Sequence, residues 1–169
     1  DMANLLDSLS IDRVHMVGYS MGARATLRFC AMFPDRVRRA SVGGAGDAVM
    51  KDRKSWSDVA EGLLADDLSG AKTVRAQAFR TFADRTKSDR RALAACVMGV
   101  LDPITKEEIE AIQAPVLVAV GTRDDVAGDP QGLADCMTTS RVLAQPGKDH
   151  MSAVGDRDWK REVVDFFGS

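Results

Sequence analysis

The chain has 169 residues, 45% of them apolar, and a formal net charge of −2 from 23 basic and 25 acidic side chains. That length suits one domain or the larger part of one, and that apolar share can build a buried core. Near-neutrality gives no electrostatic case for nucleic acid or an anionic membrane, and no apolar run approaches the ~18 residues of a membrane span. Cys30, Cys96 and Cys136 are an odd set without close spacing, as expected of reduced, partly buried thiols in a cytoplasmic protein rather than of a disulfide framework.

In chain order, Met2, Leu5, Leu6 and Leu9 recur at helical spacing and predict a short amphipathic helix. A polar turn from Asp7 to Asp12 leads into an apolar strand, Val14 to Val17. Gly18-Tyr19-Ser20-Met21-Gly22 follows, a Gly-x-Ser-x-Gly pentapeptide where that strand gives way to a helix of good helix formers. Pro34 and Asp35 stop the helix near Phe33. Val37 to Val42 predict a second strand and Gly43 to Asp47 a flexible turn. Arg36, Arg38 and Arg39, at the helix-to-strand connection, read as a solvated basic face.

Residues 48–113 contain no convincing strand and read as helical. Ala71, Val74, Ala78 and Phe82 mark one apolar face there, and Leu93, Val97, Val100 and Leu101 another, before Asp102-Pro103 breaks the run. Thr105 and Glu108 have capping-box spacing, with Ile104 and Ile109 placed as a hydrophobic staple. Val116 to Val120 form a continuous apolar strand of the kind buried on both faces of a parallel sheet. Asp129-Pro130 predicts a cap and first residue for a helix reaching about residue 138. Arg141 to Ala144 predict the last strand, and Trp159, Val163, Phe166 and Phe167 line one face of a closing helix. Alternating strands and helices imply a parallel, doubly wound α/β sheet.

A serine hydroxyl is a weak nucleophile unless a sharp turn presents it beside a base, with backbone donors ready for the oxyanion. The pentapeptide supplies the turn, since glycines on both sides let the strand reverse into the helix. The following helix brings its positive N-terminal end beside Ser20. Against this stands a plainer use of Ser20 as the cap of that helix.

The chain resembles the α/β-hydrolase superfamily. The pentapeptide resembles that fold's nucleophile elbow, and Ala114 to Asp125 resembles the strand and loop that deliver the acidic member of its triad. Gln145 to Met151 resembles the loop that delivers the histidine, and the order Ser20, Asp124, His150 is that of the fold. The resemblance implies Ser20 as nucleophile within an elbow of Gly18, Tyr19 and Gly22, with the Met21 backbone N–H in the oxyanion hole. It implies His150 as general base and Asp124 as its orienter, Asp124 lying three residues after the strand-ending Gly121 with Asp125 as competitor. The other histidine, His15, lies inside a strand and reads as a core or supporting residue. Asp129 reads as a helix cap and Asp149 as a solvated loop residue.

Only 19 residues precede Ser20, whereas the fold places about four strands before its elbow. The expectation is therefore the C-terminal portion of a doubly wound α/β-hydrolase, with a mostly parallel sheet and a short helical cap insertion. Residues 1–47 would supply the elbow strand, helix and next strand, 48–113 the cap-like insertion, and 114–169 the acid and histidine loops with the closing helix. The second oxyanion donor would lie in an upstream segment, and the first strand would be an exposed apolar edge needing that segment or a second copy.

The expected activity is hydrolysis of a small carboxylic ester, thioester or lactone through an acyl-enzyme. The apolar Met50, Trp56, Phe79, Phe82 and Met98 suggest an apolar substrate. Carbon–carbon bond hydrolysis or cofactor-free perhydrolysis is the alternative on the same residues, and a non-catalytic remnant or interaction domain the alternative of another class. No cofactor is expected without a dinucleotide fingerprint, and no metal, since neither histidine has ligand-like spacing.

Overall fold

A computed structural model describes residues 1–51, 56–99 and 102–169. Strands β1 (Val14–Tyr19), β2 (Val37–Gly43), β3 (Val116–Gly121) and β4 (Ser140–Gln145) form one parallel sheet in the order β1-β2-β3-β4. All four strands run past their predicted bounds because the ladder continues there. Tyr19 pairs with Gly43, and Gly121 with Gln145. By contact, the chain falls into two compact units, Asp1–Lys51 with Ile104–Ser169, and Asp52–Pro103.

The first unit contains the sheet with helices α1 (Met2–Ser8) and α2 (Met21–Met32); the second contains α3 (Ser57–Leu64), α4 (Val74–Thr86) and α5 (Arg90–Gly99). Helices α6 (Lys106–Glu110), α7 (Pro130–Ala134), α8 (His150–Ala153) and α9 (Arg157–Gly168) return to the first unit. Every residue of β3 is buried, as a strand covered on both faces must be. Val116, Val118 and Val120 join Ala23 and Leu27 of α2, Ile109 of α6 and Leu133 of α7 in one core. Ser41 of β2 lies on the other face, where the α9 indole of Trp159 donates to its hydroxyl at 3.2 Å.

Local chemistry sets the helix starts. The Thr105 hydroxyl accepts from the Glu108 amide while the Glu108 carboxylate accepts from the Thr105 amide, closing the predicted capping box. Ile104 and Ile109 are both fully buried beside it. Asp129 caps α7 through the Gln131 amide, but α7 ends at Ala134, short of the expected 138. In α1, only Leu6 of the predicted stripe packs on the core, together with Ala3; Met2, Leu5 and Leu9 are exposed.

The second unit corrects a face. Ala71, before the helix, is buried as expected, but Val74, Ala78 and Phe82 are exposed, and α4 instead turns Ala76, Phe79, Arg80 and Ala83 inward. A buried arginine is the reason. Arg80 donates to the carbonyls of Gly62, Ala65, Asp66 and Asp67 at the end of α3 and pairs with Asp84. The Gly62 carbonyl belongs to the last turn of α3, where carbonyls lack an intrahelical partner; that of Ala65 also accepts from Arg90 and that of Asp67 from the Gly70 amide. A guanidinium there also meets the negative end of the helix dipole. Leu93 and Val97 of α5 pack against this unit's core as expected, while Val100 and Leu101 lie outside the described residues. Trp56 and Phe79 meet edge to face at 5.6 Å within that core. Met50 packs on the core of the first unit, so these three side chains are packing residues; Phe82 and Met98 are exposed.

Candidate active site

Ser20 sits between β1 and α2 with φ 52° and ψ −110°, a conformation that costs a non-glycine residue about 1–3 kcal/mol. Its backbone N–H donates to the Gly43 carbonyl at 2.8 Å, which ties the turn to β2. Gly18 is required by crowding, since a Cβ there would lie 2.2 Å from the Gly22 carbonyl oxygen and 2.5 Å from Thr26 Oγ1. Gly22 differs, for a Cβ there would meet nothing within 4 Å. Ser20 occupies the cap position of α2, yet its side chain makes no capping hydrogen bond. Its hydroxyl instead lies 2.9 Å from His150 Nε2.

His150 arrives from β4 through the turn Pro146-Gly147 and is the first residue of α8, not part of an extended loop. Asp149 is correspondingly not a free loop residue. Its carboxylate caps α8, accepting from the Met151 and Ser152 amides, and the Ser152 hydroxyl bonds the Asp149 amide in return. The Asp149–Ser152 spacing resembles a capping box and was the sequence signal for this helix. The acid and histidine loops are laced together, with Arg123 N–H on the Lys148 carbonyl at 2.9 Å and Gly147 N–H on Thr122 Oγ1 at 2.9 Å. Gly121 makes room for this, because a Cβ there would lie 2.3 Å from the Lys148 oxygen.

Asp124, rather than the exposed Asp125, reaches the histidine, its Oδ2 standing 2.8 Å from His150 Nδ1. Asp124 Oδ1 accepts from the amides of Val126 and Ala127, both at 2.9 Å. The Asp124 side chain is 0% exposed and that of His150 6%. Burial pushes the Asp124 carboxyl up, but the hydrogen bond and charge of His150 and the two amides outweigh it and hold it below its ordinary value. An ionised carboxylate only accepts, so Nδ1 carries the imidazole proton and Nε2 is left to accept from the serine hydroxyl. Ser20, His150 and Asp124, 130 and 26 positions apart along the chain, thus form one hydrogen-bonded row.

Met21 opens α2, and its backbone N–H, at the first helical position beside Ser20, has no intrahelical partner. The residue is 48% exposed. Tyr19 was expected only as part of the turn, yet its hydroxyl donates to the His150 carbonyl at 2.6 Å. His15 is not a core residue. It is exposed on β1 and stacked on Phe167 with ring centroids 4.6 Å apart. Among the basic cluster, Arg36 pairs with Asp7 and Arg39 lies over the Phe166 ring. Among the described residues, no group of three or more His, Cys, Asp and Glu side chains is arranged to hold a metal ion, and no helix is long and apolar enough to cross a membrane.

Comparison with known proteins extends this picture. A Bacillus subtilis (strain 168) protein, named provisionally as 2-succinyl-6-hydroxy-2,4-cyclohexadiene-1-carboxylate synthase, is 24% identical over 181 aligned positions, covering 89% of this chain and 64% of its own. The chain therefore spans less than two thirds of that relative's length. The 2-hydroxy-6-oxo-2,4-heptadienoate hydrolase of Pseudomonas putida is 48% identical over 44 residues, 26% of this chain and 16% of that one. The crystal structure of the enol-lactonase from Burkholderia xenovorans LB400 superposes with a TM-score of 0.77 at 21% identity, covering 100% of this chain and 71% of that one. The family profile described as alpha/beta hydrolase fold matches residues 1–95. That match includes the strand, the strained serine turn and the helix behind it, and the chain belongs to the alpha/beta hydrolase fold family.

Proposed function

We propose that the protein is a serine hydrolase in which Ser20 attacks an ester-like carbonyl with His150 as general base. The hydrogen-bonded row Ser20–His150–Asp124 is the observation that carries this reading. Ser20 Oγ adds to the carbonyl carbon as its proton passes to His150 Nε2, and Asp124 stabilises the imidazolium through Nδ1. The tetrahedral oxyanion is stabilised by the Met21 N–H at the N-terminus of α2, a donor worth roughly 3–4 kcal/mol in comparable sites. Collapse expels the leaving group, which takes the proton from His150. Water then attacks the acyl-serine with His150 as base, releasing the acid and restoring Ser20.

The substrate is a small carboxylic ester, thioester or lactone, and the fold shared with an enol-lactonase favours that class. Carbon–carbon bond hydrolysis is the second reading, favoured by the 48% identity to the heptadienoate hydrolase segment; perhydrolysis needs no other protein groups. The helical stretch 48–113 is a cap-like insertion in the sequence, and the free thiols of Cys30, Cys96 and Cys136 suit a reducing cytoplasm. A non-catalytic scaffold would have no need to keep the Ser20 hydroxyl off its helix cap and on an imidazole.

Fluorophosphonate labelling read by intact mass tests the proposal. One adduct on the wild-type chain, absent from Ser20→Ala, is the expected result. A folded wild-type chain that takes up no adduct, or a Ser20→Ala chain that still labels, overturns it.

A further inference from the structure

The proposed chemistry does not use the Tyr19 side chain, yet that side chain spans the two residues the chemistry depends on. Tyr19 is covalently next to Ser20, and its hydroxyl holds the backbone carbonyl of His150 at 2.6 Å across 131 positions of sequence. Its ring tilts against the His150 imidazole at 5.4 Å between centroids and against the Trp159 indole at 5.5 Å. The ring lies in a slot cut by two glycines. A Cβ on Gly43 would come within 2.6 Å of the Tyr19 ring and 2.7 Å of Trp159, and one on Gly44 within 2.7 Å of the ring. Trp159 is itself pinned through its N–H to the fully buried Ser41 on β2. The tyrosine ring is thus fixed by the sheet on one side and by α9 on the other.

Other contacts fix His150 without reference to the serine. Asp124 holds Nδ1 of the ring, and Asp149 caps the helix that His150 begins. Gln145 Nε2 anchors the far end of α8 through the Ala153 carbonyl at 2.9 Å. The tyrosine alone among these measures the histidine backbone against the nucleophile's own neighbour. We propose that Tyr19 is a positioning residue, one that sets the distance between His150 and Ser20 by bonding the His150 carbonyl. The inference rests on the serine-hydrolase reading for its consequence, though its geometry does not. The hydroxyl stays a donor through the working pH range, since burial, and then the charges of Asp124 and Asp149, push its ionisation up.

Tyr19→Phe keeps the ring in its slot and removes only the donor. With only two histidines in the chain, imidazole signals of the ¹⁵N-labelled protein are readily assigned. His15, stacked on Phe167, serves as the internal reference. In Tyr19→Phe, fluorophosphonate labelling of Ser20 slows about tenfold, and solvent exchange of the His150 Nδ1 proton accelerates about tenfold, the factor that one lost hydrogen bond carries; the His15 signals stay in place. Unchanged labelling and exchange at His150 would overturn the proposal. Equal changes at both histidines would also overturn it, since they report general loosening of the fold. A wild-type chain that takes up no label would sink the hydrolase reading alone, because the His150 proton still reports whether Tyr19 positions the ring.

Discussion

The Asp124 carboxylate has no exposed surface, yet its ionised form is favoured because the amides of Val126 and Ala127 fill one oxygen and His150 the other. A carboxyl depressed in the folded state stabilises that state above its unfolded pKa, and the contribution disappears as pH falls through the folded value. We therefore expect part of the chain's acid lability, below about pH 4, to come from this one group. Asp124→Asn tests both of its roles. The asparagine carbonyl can still accept from Val126 and Ala127, so the loop keeps its shape. Its amide faces Nδ1 with a donor, which favours the wrong imidazole tautomer. Denaturation midpoints measured down the pH scale should fall less steeply in Asp124→Asn than in wild type. Labelling of Ser20 at neutral pH should drop by about 10³–10⁴-fold, as where a buried triad acid is neutralised. Identical pH slopes would show that the carboxylate is not linked to folding. At this scale, the row Ser20, Asp124, His150 was legible because a motif and two loop patterns carry it. The Tyr19–His150 bond was not, for nothing in a pentapeptide says what its second residue touches 131 positions away.

Elements were legible where their ends are written in local chemistry. Thr105 and Glu108 announce α6, and Asp129-Pro130 announces α7, because caps act within three residues. Helix faces were less legible, and α4 shows why. Counting apolar residues selects Ala71, Val74, Ala78 and Phe82, but the long arginine at position 80 reaches carbonyls at and just beyond the end of α3 and turns the helix by its own demand. Polar satisfaction here outweighs hydrophobic patterning, since each abandoned buried carbonyl costs about 1–3 kcal/mol. Arg80→Met keeps much of the stem's packing and removes the donors. It should lower stability by about 2–3 kcal/mol in denaturant melts. Arg80→Lys should recover only part of that loss, because an ammonium cannot fan its donors over four carbonyls as a guanidinium does. Amide exchange should rise first at the C-terminal turn of α3. A neutral Arg80→Met substitution would mean that the carbonyls find other partners at no cost.

Across the molecule, apolar surface is distributed unevenly. Met2 and Leu5 on α1, Leu9 and Ile11 after it and Val17 on β1 are all exposed, at 42%, 57%, 57%, 38% and 52%. Within the described sheet β1 pairs on one side only, with β2. A parallel sheet is normally shielded at its edges as well as its faces, and an edge strand carrying exposed valine is a template for pairing with another chain. The sequence implied an apolar edge here through its resemblance to a fold that sets further strands beside the elbow strand. It did not reveal that Met2, Leu5 and Leu9 of that stripe face outward while Leu6 packs inward, since periodicity defines a stripe without saying what it faces. We expect the 169-residue chain to self-associate as its concentration rises through the micromolar range, a consequence of these exposed groups rather than of the site. Sedimentation velocity on the wild type beside a Leu5→Lys, Val17→Lys double variant decides it. Charges on α1 and on the edge strand should hold the variant monomeric at concentrations where the wild type sediments faster. Neither position touches the serine row, so the variant should label on Ser20 at the wild-type rate. A wild type that stays monomeric throughout would show that one-sided pairing of β1 is tolerated in water. Association that persists in the variant would place the contact elsewhere on the surface, with Val164 of α9, 70% exposed, the next position to charge.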